Sequence, residues 1–264
     1  MKKTPALELR DVSYSASGKL ILHSVNWTVN RREHWAILGP NGSGKTTLLK
    51  LACGHLWPNA GGAVLRKGKE LVHLPELRKS IGWVTAALAS EMPTHERVLN
   101  TVVSGRFAQI GYLGGVWGQA SRHDYARARH YLKELDCNHL SEREFGTLSQ
   151  GEQQKILIAR ARMTRPFLII LDEPCAGMDP GAREKFLDSL ANLGRQKTLP
   201  ALIYVTHHVE EILPLFKHTL VLRDGEILHA GATQAVLKPG VLKDLYGVGL
   251  TIVKRKGRYW PTVK

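Results

Sequence analysis

The chain lacks what a disulfide-stapled or membrane-spanning protein is built from. Its 264 residues hold three cysteines, Cys53, Cys137 and Cys175, with no Cys-x-x-Cys spacing. An odd, scattered set argues against a disulfide framework or a zinc site and fits a reducing cytosol. Apolar runs stay short: Phe167-Leu168-Ile169-Ile170-Leu171 is far from the length that spans a bilayer. Met1-Lys2-Lys3 reads like a signal-peptide start, but Pro5, Glu8, Arg10 and Asp11 interrupt any apolar stretch after it. Internal repeats and low-complexity segments are missing. Acidic residues are in deficit, 23 against 37 Lys and Arg, which leaves a net charge of +14. That balance suits nucleic acid, anionic lipid or simply a solvated surface. The densest basic group, Lys254-Arg255-Lys256-Gly257-Arg258, is broken by glycine and reads first as solvated surface.

What is present begins with Gly39-Pro40-Asn41-Gly42-Ser43-Gly44-Lys45-Thr46-Thr47. It follows the apolar run His34-Trp35-Ala36-Ile37-Leu38, which reads as a buried strand, and precedes a helical pattern over 48–53. Strand, glycine-rich loop and helix are the context of a phosphate-binding loop. Glycines let successive N–H groups converge on one spot, and the helix N-terminus adds its dipole. Lys45 then reaches the β- and γ-phosphates and the Thr46 hydroxyl ligates Mg²⁺.

Upstream, residues 5–30 alternate apolar and polar around the turn Ser15-Ala16-Ser17-Gly18-Lys19, which predicts an antiparallel hairpin. Tyr14 sits beside that turn, as a base-stacking ring or as the rim of the sheet. Downstream, Ala63-Val64-Leu65 with Lys67-Gly68-Lys69 predicts a short hairpin; 74–79 is mixed; 81–85 reads as a buried strand. From about 87 to 150 the spacing becomes helical, with Val98, Val102 and Val103 on one face and Tyr125, Ala128, Tyr131, Leu132 and Leu135 on another. The glycine- and aromatic-rich stretch 105–118 is a loop or broken helix.

Ser149 and Glu152 have capping-box spacing ahead of a helix. Ser149 with the N–H groups near Gly151 also makes an anion site possible. The strand at 167–171 ends in Asp172-Glu173, at the sheet edge where ligands bind. Asp172 suits Mg²⁺ and Glu173 suits a water-activating base. Asp179-Pro180 is an N-cap followed by Pro, opening a helix over 180–193. The strand 201–205 ends at Thr206-His207-His208, and 220–228 is a hairpin with an Asp224-Gly225 turn. Residues 233–247 read as helical, then looser, and 250–253 as a short strand before a basic aromatic tail.

Together these motifs resemble the ATP-binding subunit of an ABC transporter, over about residues 7–260. They stand in the family's order: Tyr14 as base-stacking aromatic, 39–46 as Walker A, Leu148-Ser149-Gln150-Gly151-Glu152 as signature, 168–172 as Walker B with Glu173 after it, Ala176-Gly177-Met178-Asp179 as D-loop, His207 as switch histidine. The resemblance implies an α/β P-loop cassette: a RecA-like mixed sheet, an N-terminal antiparallel β subdomain and a helical insert. It implies one ABC ATPase domain over 5–250, a helical subdomain at about 87–163 and a short basic tail at 251–264. It implies ATP and Mg²⁺, with Glu173 as general base, His207 at the γ-phosphate, and Thr46 and Asp172 at the metal.

The same resemblance implies two cassettes paired head to tail, so that Ser149 and Gly151 of one copy complete the site of the other. Separate permease subunits, a substrate-binding protein and a place on the inner face of the cell membrane follow. Nucleic acid is not an expected partner of a transporter subunit, but a soluble ABC ATPase acting on nucleic acid or the ribosome is the alternative. Val103-Ser104-Gly105-Arg106-Phe107 and 242–248 are similar to metal-chelate importers, and 33–39 to the molybdenum-transport and photorepair branch. Three departures stand out: Ala86 where the Q-loop glutamine belongs, Gln150 and Glu152 in the signature, and Ala-Gly-Met-Asp in the D-loop.

Overall fold

The computed structural model describes residues 4–115 and 118–264. Met1-Lys2-Lys3, and Val116 and Trp117 of the 105–118 loop, lie outside the described residues. In chain order the first elements are β1 (Leu7–Ala16), β2 (Lys19–Val29), β3 (His34–Leu38), α1 (Lys45–Ala52), β4 (Ala63–Arg66), α2 (Leu74–Ser80) and β5 (Ile81–Val84). Next come α3 (Ala86–Glu91), α4 (Val98–Ser104), α5 (Arg122–Glu134), α6 (Gln150–Arg162), β6 (Leu168–Asp172) and α7 (Pro180–Leu193). The last are β7 (Ala201–Thr206), β8 (His218–Arg223), β9 (Glu226–Ala232), α8 (Thr233–Val236), α9 (Pro239–Tyr246), β10 (Leu250–Arg255) and β11 (Arg258–Val263). Two compact units result, 1–78 with 200–264, and 79–199.

In the first unit β1 pairs antiparallel with β2 and with β4. The β1–β2 turn falls at Ser17 and Gly18, whose φ angles of 50° and 74° are those of a tight hairpin turn. A parallel group, β7–β3–β8, carries β9 antiparallel at its edge. Ala36, Ile37, Leu38 and Ala201 to Val205 are buried, as the near-continuous apolar runs of parallel strands require.

In the second unit β5 and β6 pair parallel. α6 lies on them closely, because a Cβ on Gly82 would sit 2.8 Å from the Ala161 Cβ. Val98, Val102, Val103, Ala128, Leu132 and Leu135 are all fully buried, so the two predicted helical faces are core faces. Tyr125 and Tyr131 sit at the margin.

Four expectations are corrected. β4 does not fold back as a hairpin; it joins β1, and only the isolated bridge Arg66–Lys69 returns. The mixed stretch at 74–79 is helix α2. The segment 233–247 is less regular first, with four residues in α8, and more regular second, with eight in α9, because Pro239 starts a fresh helix. The basic aromatic tail expected after 253 is strand: it continues β10 and forms β11 around the turn Lys256-Gly257, with φ of 49° and 78°.

Candidate functional site

The phosphate loop leaves β3 at Leu38, and its glycines are required by geometry. Gly42 and Gly44 have φ of 80° and 100°, the left-handed region that side chains disfavour. Gly39 meets the backbone oxygen of Leu222 so closely that no Cβ fits. Helix α1 then begins on Gly44 with no side-chain cap, so its first N–H groups stay available to a ligand. Lys45 is 6% exposed and folds into the loop, donating to Gly39 O at 2.9 Å and Pro40 O at 3.0 Å. Ser43 Oγ is buried without a hydrogen-bond partner among the described residues. An unfilled hydroxyl beside an uncapped helix start fits an anion of several oxygens. Asn41 and Thr46 are exposed, and Pro40 and Thr47 are half-buried.

Two more predicted residues join this loop. Leu38 is paired with Thr206 across β3 and β7, so Gly39 and His207 leave neighbouring strands at the same edge, where strands lie about 4.8 Å apart. Tyr14 is half-exposed and paired with Leu22, whose Cδ2 lies 2.8 Å from where a Cβ on Gly44 would be. Tyr14 therefore belongs to the strands that border the loop.

The second unit carries the other predicted residues. Leu171 pairs with Val84, so Asp172 and Glu173 share a strand edge with Thr85 and Ala86. Glu173 has φ of 49°, a left-handed turn that a side chain adopts at a cost of about 1–2 kcal/mol. Thr85 Oγ1 caps α3 by accepting from Leu88 N at 3.0 Å. The Q-loop position, Ala86, thus opens a capped helix.

Ser149 and Glu152 make a complete capping box on α6. Ser149 N and Oγ both donate to Glu152 Oε2, at 2.8 and 2.7 Å. Burial pushes the Glu152 carboxyl up, but the Ser149 hydrogen bonds, with Arg143 and Lys155 nearby, outweigh it and hold it below its ordinary value. Asp179 caps α7 through Gly181 N and Ala182 N at 2.8 and 2.9 Å. Gly151 is buried, with Met178 Sδ 3.7 Å from where its Cβ would be. The two unusual motifs prove to be neighbours: a Cβ on Gly177 would sit 3.1 Å from Gln150 Nε2. The larger signature residue is accommodated by the smaller D-loop residue. Neither motif reveals that alone.

Sequence reasoning missed Arg66. It is 2% exposed, and its guanidinium donates to Ala52 O at 2.8 Å and to Leu51 O, capping the far end of α1. Burial lowers its pKa, and the helix carbonyls stand in for a counter-ion. An arginine ending an alternating strand gave no signal beyond its place.

Among the described residues no cluster of three or more His, Cys, Asp or Glu is placed to hold a metal ion alone. Mg²⁺ takes most of its oxygens from phosphate and water, so an exposed threonine hydroxyl at the start of α1 and a carboxylate at the end of β6 are each of the right chemistry for it. No helix among the described residues is long and apolar enough to cross a membrane.

Comparison with known proteins agrees with these motifs. The ABC transporter family profile matches residues 22–176. An uncharacterized ABC transporter ATP-binding protein, YlmA of Bacillus subtilis, is 37% identical over 254 residues, covering 96% of this chain and 95% of its own. A phosphonates import ATP-binding protein of a Nostoc species is 29% identical, covering 97% and 98%. A chain of an inward-facing ABC transporter described as of putative metal-chelate type superposes with a TM-score of 0.77 at 26% identity, over 98% of this chain and 97% of that one. CbiO1 of Clostridium perfringens, part of the transporter complex CbiONQ, gives 0.77 at 27%, over 91% and 94%. With the family profile covering most of the chain and relatives this similar along nearly all of it, the chain belongs to the ABC transporter family as an ATP-binding subunit, an ATPase coupled to transport.

Proposed function

We propose that the chain powers an importer, hydrolysing ATP as one of two identical cassettes bound to separate permease subunits. The observation that carries the ATP half is the phosphate loop: a left-handed glycine turn, an uncapped helix and a buried lysine folded inward. In this reading the N–H groups of 42–47 and Lys45 bind the phosphates, and Tyr14 stacks on the base. Thr46 and Asp172 would hold Mg²⁺, which would supply neutralisation of the phosphate charge. Glu173 takes a proton from the attacking water, and His207 contacts the terminal phosphate. Ser149 and Gly151 serve the partner cassette's nucleotide, and Asp179 lines the contact between cassettes.

A cargo of metal chelate or oxyanion is supported by two likenesses, a metal-chelate type transporter and a phosphonates import subunit. A substrate-binding protein would deliver that cargo on the far side of the membrane. The test has two arms. Glu173→Gln should bind ATP, trap the paired cassettes and lose turnover by about a hundredfold or more; unchanged turnover removes Glu173 from its role. Co-purification with a polytopic membrane protein supports the transport half, and its failure from native membranes counts against it.

A second reading has two observations in its favour. Ala86 cannot relay to a membrane subunit as a Q-loop glutamine would, and the chain is strongly basic. A soluble ABC ATPase on nucleic acid or the ribosome would show salt-dependent RNA or DNA binding.

A further inference from the structure

The turn that carries His207 is held from two sides, both within the first unit. On the inside, Glu211 is 3% exposed and accepts from Tyr204 Oη at 3.0 Å and from Thr206 Oγ1 at 2.6 Å. Thr206 Oγ1 in turn accepts from His208 N at 3.0 Å. This network fixes the end of β7.

The outer side is made by the C-terminal segment. Tyr246, the last residue of α9, donates its hydroxyl to the backbone carbonyl of His207 at 2.9 Å. Arg258, the first residue of β11, donates Nε to the carbonyl of Glu210 at 2.7 Å. The hairpin tip is seated as well, since a Cβ on Gly257 would lie 2.8 Å from Pro214 Cγ. α9 is itself anchored, because the Arg223 guanidinium donates to Asp244 O. Two backbone carbonyls, three residues apart, are thus gripped by side chains some forty residues further along the chain. Burial, helped by the nearby Glu210 charge, raises the Tyr246 hydroxyl above its ordinary pKa, so it remains a donor at any working pH.

A side chain beyond the end of a strand takes its aim from its own peptide plane, and that plane is set by what its carbonyl bonds to. We infer that Tyr246 is a positioning residue for His207, and that α9 with the β10–β11 hairpin is a strap whose seating sets how fast the site hydrolyses ATP. The inference rests on the reading of His207 as the group that contacts the terminal phosphate. It adds a determinant outside the phosphate loop, the signature, the Walker B strand and the D-loop, 39 residues from the histidine it serves.

The experiment is a double-mutant cycle on the full chain with His207→Ala and Tyr246→Phe. Tyr246→Phe keeps the ring and removes one hydrogen bond. It should lower kcat about fivefold and leave ATP affinity unchanged. In the His207→Ala background it should have no further effect, because a residue acting through another is not additive with it. Arg258→Gln should give a smaller fall of the same kind. An equal fall in both backgrounds would make Tyr246 a general structural residue and overturn the inference, as would wild-type kcat in Tyr246→Phe beside an impaired His207→Ala. Wild-type turnover in His207→Ala would instead remove the reading of His207 on which this one stands. Amide exchange over 207–211 supplies a second readout that needs no turnover. Tyr246→Phe should speed it while leaving β7 unchanged, and no change there also overturns the inference.

Discussion

Two loops of this protein end in helices, and they end them differently. The phosphate loop enters α1 on Gly44, left-handed, with no side chain over the first turn. The signature loop enters α6 on Ser149, with a reciprocal capping box that occupies the same kind of N–H groups. One helix start is held open and the other is closed by its own residues. An open helix start is an anion site within a single chain. A closed one is stable in isolation and becomes a ligand site only if the serine hydroxyl turns from Glu152 to a phosphate.

The strongest way to break this contrast is Lys45→Ala. It should weaken ATP binding by about a hundredfold or more, since a buried ammonium on phosphate contributes a few kcal/mol. Calorimetric titration checks it, and intact affinity would mean the open loop is not the binding site.

Gly44→Ala comes next. The added Cβ meets Leu22 and a φ of 100°, so unfolding free energy should drop by about 1–2 kcal/mol, with ATP affinity falling as well. A fully stable variant would show that the turn tolerates a side chain.

Ser149→Ala should show the opposite profile. Losing the cap costs about 1 kcal/mol in urea unfolding, while ATP affinity of the single chain stays as it was. Lost affinity together with unchanged stability would reverse the comparison.

The smallest effect is Glu152→Gln, which keeps a capping partner but removes the charge. Because Glu152 titrates below its ordinary value of 4.5 in the folded chain, its contribution is complete above pH 4.5. It is lost as pH falls through the lower folded value. Acid unfolding of wild type should therefore be steeper in that window than that of Glu152→Gln; identical curves would remove Glu152 from the pH dependence.

Most of the fold was legible where the signal was local. β3, β5, β6, β7 and α7 lie where the apolar runs and the Asp179-Pro180 cap predict them. The failures share one cause. β4 has a hairpin's composition, yet its partner is β1, more than fifty residues away in sequence. β11 reads as part of a basic aromatic tail because only Tyr259 of its six residues is buried, and its pairing with β10 makes it a strand. Arg66 drew no reading from the sequence and is buried under the α1 carbonyls.

By itself the sequence determined the local motifs: which residues form the glycine loop between a strand and a helix, which carboxylates end a strand, which serine and aspartate cap a helix. Those assignments depend on spacings of a few residues, where backbone geometry leaves little choice. Tertiary structure decided which of them meet. It set Gly39 beside His207 through the Leu38–Thr206 pair, fitted Gln150 against Gly177, and brought Tyr246 back to the His207 carbonyl. Such meetings depend on strand pairing and packing across long stretches of chain, and no short-range pattern encodes them.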